Sequence, residues 1–237
     1  MVSSLAGRVR EPLLPAGTVR EGGFGGVEGM RSWLNAHSPA IVVDATHPFA
    51  VQVSGHAAEA ARLAASPHLR LQRPPWTPRA GERWLPVPDH AAAADLLPAV
   101  GARPLLTIGR QQLAAFTEHP ACRLLDLLVR CVQAPTIPLP ARTTVLLARG
   151  PFTLAGERAL LRENGIDVLV TKNSGGADTS PKLAAARQLS VPVVMIERPP
   201  DPTSVDAVTT VDAAEHWVLA RLSSRHASPP HRSMRMG

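Results

Sequence analysis

The feature that most constrains the fold is a regular alternation of short apolar runs with alanine- and leucine-rich stretches of helical periodicity. The apolar runs are continuous, which is typical of parallel strands covered on both faces. Strands and helices that alternate in this way form right-handed βαβ units. The predicted strands are 40–45, 104–108, 124–130, 143–148, 166–171 and 191–196, and the predicted helices are 27–35, 51–65, 89–99, 153–163, 181–189 and 212–222. The sequence therefore predicts an α/β fold with mainly parallel sheets.

The chain of 237 residues is long enough for one large or two small domains. A glycine- and proline-containing segment at 100–104 separates the two halves of the pattern. We predict an N-terminal domain at 1–102 and a C-terminal domain at 103–222. The remaining segment, 223–237, is polar and contains proline, and it is predicted to be a disordered tail.

The charge of the chain indicates an acidic partner. The net charge is +6 and the sequence pI is about 10.8. Nucleic acid is one possible partner of such a chain. However, aromatic residues make up only 3% of the sequence and the arginines are scattered, with no run of five or more basic residues. These two observations favour a small anionic molecule over nucleic acid.

Several classes of protein are disfavoured by what the sequence lacks. No apolar run approaches the roughly 18 residues of a membrane span. The N-terminus has no charged-then-apolar signal pattern. The two cysteines, Cys122 and Cys131, form no CxxC pair and no metal-ligand spacing. We therefore expect a cytoplasmic, monomeric protein with reduced thiols and without a metal site or a membrane partner.

Both lysines of the protein, Lys172 and Lys182, lie in the segment 170–183, and every other basic side chain apart from histidine is an arginine. The segment is predicted to run from a buried strand through a glycine-containing loop into a helix, with Ser180 as its N-cap and Pro181 at its first position. Such a loop presents backbone N–H groups to an anion. The alternative is an ordinary capped loop with a solvated lysine.

Polar side chains follow four of the predicted strands. In open α/β sheets, ligands bind outside the carboxyl ends of the strands. Four such ends that combine cations, hydroxyl groups and glycines predict a large polyanionic ligand. The residues at these ends are Asp44, Thr46 and His47; Gly109, Arg110 and Gln111; Arg149 and Gly150; and Lys172, Asn173, Ser174 and Gly175.

Each of these residues also has a structural interpretation that the sequence leaves open. His47 is a candidate proton donor because its unperturbed pKa lies near neutrality, or a hydrogen-bonded structural residue before Pro48. Asp44, at a strand terminus, is an acid catalyst or an anchor for the loop. Arg110 and Arg149 are ligand-binding residues or partners in surface salt bridges.

Eight short segments stand out along the chain: SLAGR (4–8), GGFGG (22–26), VVDATHPFA (42–50), RPPW (73–76), TIGRQ (107–111), ARGPF (148–152), TKNSGG (171–176) and RP (198–199). Together these segments resemble the precorrin-6A reductase family of cobalamin (corrin-ring) biosynthesis. The resemblance implies two Rossmann-like domains with an active site in the cleft between them. It implies hydride transfer from NADPH to precorrin-6A, an anionic tetrapyrrole, to give precorrin-6B.

The resemblance also implies roles for the residues at the strand ends. Ser3, Ser4 and Arg8 lie where the ribose 2′-phosphate of NADP is recognised, and Thr46 is expected to contact the cofactor. His47 and Lys172 are the expected catalytic residues. The residues expected to bind the substrate are Arg110, Gln111, Arg149, Gly150, Asn173, Ser174 and Gly175.

The chain departs from the family pattern at two places. The family opens with a short strand and a Gly-Gly-Thr loop, and we expect this first βα element to be missing ahead of Ser3. Where the family pattern has Ser-x-Asn, this chain has Ser54-Gly-His56. An alternative function is therefore a non-catalytic anion- or nucleotide-binding module on the same fold.

Overall fold

The structure, a computed structural model, describes residues 1–5, 16–201 and 205–226, without the side chains of 225 and 226. It contains eleven strands in these ranges: β1 (Val2–Leu5), β2 (Thr18–Glu21), β3 (Val42–Asp44), β4 (His68–Leu71), β5 (Trp84–Val87), β6 (Pro104–Leu106), β7 (Leu127–Cys131), β8 (Thr143–Leu147), β9 (Val168–Lys172), β10 (Val193–Ile196) and β11 (Asp206–Val208). The α-helices of the same ranges are α1 (Gly26–His37), α2 (Val51–Leu63), α3 (His90–Val100), α4 (Ala114–Thr117), α5 (Leu154–Glu163), α6 (Pro181–Gln188) and α7 (Val211–His226).

All strand pairs in the described residues are parallel, and they form three sheets. The largest has six strands in the order β5-β10-β9-β6-β7-β8. A three-stranded sheet has the order β11-β4-β3, and β1 pairs with β2 alone. The predicted α/β class with parallel sheets is confirmed.

The continuous apolar strands lie in the centre of the six-stranded sheet. Leu105 in β6, Leu169 in β9 and Met195 in β10 are fully buried. Their cluster is closed by Leu161 of α5 and by Leu183 of α6. Helices on a parallel sheet exclude water from its faces, so such strands need no polar alternation.

The chain divides into two compact units. The first comprises Met1–Glu21 and Pro74–Pro200, and the second comprises the described parts of Gly22–Arg73 and Asp201–Gly237. This division differs from the predicted boundary at 102. The reason is long-range pairing: β5 adds to β10 at one edge of the six-stranded sheet, and β11 adds to β4 in the three-stranded sheet.

Several local predictions are corrected by the structure. The strand predicted at 124–130 begins at Leu127, because Cys122–Leu124 forms a 3-10 turn before it. Residues 223–226, which were predicted to belong to the disordered tail, are helical, since α7 continues to His226. Residues 227–237 lie outside the described residues. Strands β1, β2, β4, β5 and β11 were not predicted, because each has at most four residues. Polar residues interrupt β1, β2, β4 and β11, and Pro86 stands inside β5.

Candidate active site

Three of the four polar strand ends meet at one edge of the six-stranded sheet. Strands β9, β6, β7 and β8 are parallel neighbours, so their carboxyl ends lie on the same side. Arg110 and Gln111 occupy a 3-10 turn after β6, Arg149 and Gly150 follow β8, and Lys172 ends β9. Arg110 is half-buried and Arg149 is exposed. The sequence thus placed these groups on one edge correctly.

The loop after β9 is fixed by Asn173. Its buried side chain accepts a hydrogen bond from the backbone N–H of Trp76 at 2.8 Å and donates to the carbonyl of Trp76 at 3.2 Å. Its own backbone N–H donates to the carbonyl of Ile196. The predicted contact of Asn173 with substrate remains untested, but its amide group already holds the proline-rich segment against the loop.

Gly175 is required by the packing of this loop. It has φ +68°, and a Cβ atom there would lie 2.1 Å from the carbonyl oxygen of Pro74. The indole Nε1 of Trp76 donates to the carbonyl of the next residue, Gly176, at 3.0 Å. The close approach at Gly175 is therefore made by the backbone of the protein itself, at Pro74.

We expect Gly175→Ala to destabilise the protein strongly. An L-residue at positive φ costs about 1–2 kcal/mol, and forcing the backbone of Pro74 away adds a steric cost of roughly 1–3 kcal/mol. Gly81→Ala is the matched control, because Gly81 has φ +83° but open space around the added Cβ. Thermal unfolding should show the larger loss for Gly175→Ala. Equal losses would mean that the loop moves away from Pro74 without cost.

Lys172 is a half-buried cation at the end of β9. Burial lowers its pKa from 10.5 to about 8. His90, the first residue of α3, has a pKa lowered to about 4, mainly by burial and secondly by the charge of Lys172. His90 is therefore neutral when Lys172 titrates.

Lys182 is not the solvated lysine that the sequence allowed. It lies in the first turn of α6, is only 5% exposed, and places Nζ 5.1 Å from the centroid of the Trp76 ring. Burial is the main cause that lowers its pKa to about 7. Ser180 occupies the predicted N-cap position, but its hydroxyl donates to the carbonyl of Ala177 instead of accepting from the helix.

A buried ion pair beside this region was missed. Arg130 of β7 pairs with Glu157 of α5, and the two side chains are 5% and 2% exposed. The guanidinium also lies 4.0 Å above the ring of Phe152. The sequence contained a signal for this ion pair, because one arginine inside an otherwise apolar strand needs a buried partner. Its partner could not be read from the sequence.

The fourth strand end belongs to the other unit. There Asp44 is the anchor and not an exposed acid: it accepts the backbone N–H of Thr46 at 2.9 Å and pairs with Arg70 at 2.8 Å. Arg70 pairs further with Asp201 at 2.9 Å. The hydroxyl groups of Thr46 and Ser54 lie 2.8 Å apart. This network holds the backbone that carries Thr46.

His47 is exposed, and its Nδ1 accepts the backbone N–H of Phe49 at 3.2 Å. The structural interpretation of His47 is therefore satisfied. It does not preclude proton transfer, because a neutral imidazole that accepts at Nδ1 carries its hydrogen at Nε2.

The predicted cofactor residues Ser3 and Ser4 lie in β1. The guanidinium of Arg20 in the neighbouring β2 donates to the hydroxyl of Ser4 at 3.4 Å. Arg20 was missed because β2 was not predicted. Arg8 lies outside the described residues.

The described residues contain neither a cluster of metal ligands nor a membrane-spanning helix. Within them, no group of three or more His, Cys, Asp or Glu side chains is arranged to hold a metal ion. Among the same residues, no helix has the length and apolar character needed to cross a membrane.

The profile of the precorrin-6x reductase CbiJ/CobK family matches residues 1–219. The chain belongs to this family. A precorrin-6A reductase of Rhodococcus erythropolis is 52% identical over 217 residues, which are 92% of this chain and 86% of that protein. A precorrin-6A reductase of Mycobacterium tuberculosis is 50% identical over 227 residues, 95% of this chain and 90% of that protein.

Solved structures agree with the sequence comparison. A structure described as CobK precorrin-6A reductase superposes with a TM-score of 0.86 at 41% identity and covers 93% of this chain and 86% of that one. The resemblance found in the motifs is confirmed, and the chain is an oxidoreductase of the precorrin-6x reductase family.

The reductase family assignment covers both units of the chain, but it does not test the role of any residue. Thr46 and His47 lie in the second unit. Their predicted contacts with the cofactor and with the reacting proton stay predictions. The same holds for the substrate contacts of Arg110, Arg149 and Ser174, of which Ser174 is buried and Arg149 exposed.

Proposed function

We propose that the protein reduces precorrin-6A to precorrin-6B in cobalamin biosynthesis, with NADPH as the hydride donor. The observation that carries the proposal is the identity of 50–52% to precorrin-6A reductases over more than nine-tenths of the chain. The reaction consumes one hydride from NADPH and one proton, and it releases NADP⁺.

The charge distribution supports an acidic macrocycle as the substrate. Corrin precursors carry many carboxylates, and guanidinium groups bind carboxylates through paired hydrogen bonds. Arg110 and Arg149 follow two strands of one parallel sheet, with Lys172 at the end of a third. Cations on the same edge, on separate strands, suit several carboxylates spread around one large ring.

The donors present also fit the proposed cofactor. Ser4 combines an exposed hydroxyl group with the guanidinium of Arg20 at 3.4 Å. A hydroxyl beside a guanidinium is a donor set for a phosphate, which supports binding of the ribose 2′-phosphate by Ser3, Ser4 and Arg20. When bound, NADPH supplies the hydride, and the protein contributes position and electrostatics.

The experiment that tests the function is an anaerobic assay with precorrin-6A and NADPH that follows nicotinamide absorbance and product mass. NADPH deuterated at C4 should transfer one deuterium to the product. The proposal is overturned if NADPH oxidation does not depend on precorrin-6A, or if the product carries no deuterium from either C4-deuterated isomer.

Arg110→Ala and Arg149→Ala should each weaken substrate binding tenfold or more. A hydrogen bond to a charged group contributes about 1.5–3 kcal/mol. Arg142→Ala is the matched control: it also lies beside β8, but at the amino end of the strand, where it pairs with Asp126 on the surface. Steady-state kinetics should show a raised KM for the two variants and not for the control. An unchanged KM in both would remove these arginines from the site.

A further inference from the structure

Lys182 is a buried amine that has no carboxylate partner within the described ranges. It is 5% exposed, and among the residues that the structure describes no carboxylate oxygen lies within 4 Å of its Nζ. The nearby Glu157 uses one carboxylate oxygen to pair with Arg130. Buried amino groups are normally paired, so an unpaired one suggests a partner that comes from outside the protein.

The position of Lys182 in α6 supports an anionic partner. The residue lies in the first turn, where backbone N–H groups point outward and the helix dipole favours negative charge. A cation there gains nothing from the helix by itself. An anion at this end would interact favourably with the N–H groups and with the ammonium group together.

The indole of Trp76 connects Lys182 to the candidate active site. The amino group lies 5.1 Å from the ring centroid, within the range of a cation–π contact. The same indole donates to the carbonyl of Gly176, and the backbone of Trp76 is held by Asn173. Lys182 is therefore fixed against the loop that follows Lys172.

We propose that Lys182 and Lys172 form one anion-binding site beside this loop, and that the anion binds together with a proton taken up by Lys182. The chemistry recognised is a carboxylate or a phosphate. The choice between the tetrapyrrole and the nicotinamide cofactor as the source of this anion rests on the proposed function, whereas the existence of the site does not.

The charges around Lys182 determine the pH range of this coupling. The pKa of Lys182 is lowered to about 7, mainly by burial; the charges of Arg130 and Lys172 also contribute to this lowering, and Glu157 opposes it. Lys172 has a pKa of about 8, and His90 is neutral above about 4. An anion raises the pKa of Lys182, so affinity is greatest below pH 7 and falls, by at most tenfold per pH unit for this group, as the pH rises above 7.

Selective labelling can test this directly, because the protein has only two lysines. Protein grown with lysine labelled with ¹³C at Cε should give two side-chain signals, assigned with Lys172→Arg and Lys182→Arg. Titration of the free protein should show the two depressed pKa values. The titration is then repeated with saturating NADP⁺, and separately with coproporphyrin, a polycarboxylated tetrapyrrole.

We expect one of the two probes to raise the pKa of Lys182 by at least one unit, and that probe identifies the source of the anion. An unchanged Lys182 pKa with both probes, whether they bind or not, overturns the proposal. Turnover of precorrin-6A with such an unchanged pKa would leave the proposed function intact. A raised pKa of Lys182 without turnover of precorrin-6A would support the anion-binding site and contradict the proposed function.

Two variants separate binding from a structural role. Lys182→Met should remove the Lys182 contribution to the pH dependence of probe affinity and weaken binding at pH 6.5 by tenfold or more. Lys182→Arg should bind the probe and keep its affinity from pH 7 to 9 better than the native protein. If Lys182→Met retains the native pH dependence of Kd, Lys182 has only a structural role.

Discussion

Lys182→Met is expected to raise the free energy of unfolding at pH 7 by about 2–4 kcal/mol. The pKa of Lys182 falls from 10.5 to about 7 in the folded protein. Each pKa unit corresponds to about 1.4 kcal/mol, and loss of the contact with the Trp76 ring offsets roughly 1 kcal/mol. A methionine of similar length fills the buried space without a charge to desolvate.

The sign of this effect depends on pH. The folded pKa is below the unfolded one, so between pH 7 and 10.5 the unfolded chain binds more protons at this residue. The stability contributed by Lys182 therefore rises with pH in this window. The advantage of the methionine variant should be largest at and below pH 7 and should shrink towards pH 10.5.

Denaturant unfolding at pH 6.5, 8 and 9.5 would measure this difference. Lys172→Met serves as the comparison: its lysine is half-buried with a pKa of about 8, so its substitution should stabilise the protein less. A Lys182→Met protein that is less stable than the native one at pH 7 would contradict the prediction. It would show that the folded protein pairs this lysine with a carboxylate of its own.

The second large effect is expected at Arg70. Arg70→Met should destabilise the protein by about 3–5 kcal/mol, because it leaves the carboxylate of Asp44 buried without its charge partner. The side chains of Arg70 and Asp44 are 2% and 1% exposed. The loss should also loosen the turn at Thr46, whose N–H donates to the same carboxylate.

A matched surface pair gives the control for Arg70. Arg62→Met removes an exposed partner of Glu59 and should leave the free energy of unfolding nearly unchanged, because solvent screens an exposed ion pair. The double variant Asp44→Asn with Arg70→Met should recover part of the loss, since it removes the unpaired charge. Denaturant unfolding checks all three. A cost for Arg70→Met as small as that for Arg62→Met would show that Asp44 does not depend on the ion pair.

Most of the central fold was predictable. All six predicted strands and all six predicted helices are present. Each has either a continuous apolar run or a helical periodicity, and these are local signals that can be read directly from the sequence. The strand ends that carry Arg110, Arg149 and Lys172 were also placed correctly. In a parallel sheet, the direction of the chain alone puts such ends on one edge.

The pairing of charged groups was not predictable. Asp44 and Glu157, the buried partners of Arg70 and Arg130, are 26 and 27 residues away from them in the sequence, and no local pattern selects them. The edge positions of β5 and β11 are also long-range, and they set a division into units that differs from the one predicted at 102.

The sequence by itself determined the parallel α/β class, the family and the edge of the sheet on which the cations lie. These follow from local periodicity, chain direction and motifs. Only the tertiary structure decided that Asp44 is an anchor, that Asn173 and Gly175 pack against the segment at Trp76, and that Lys182 is buried. Burial and ion pairing depend on which distant segments exclude water from a side chain, and that is a property of the assembled fold.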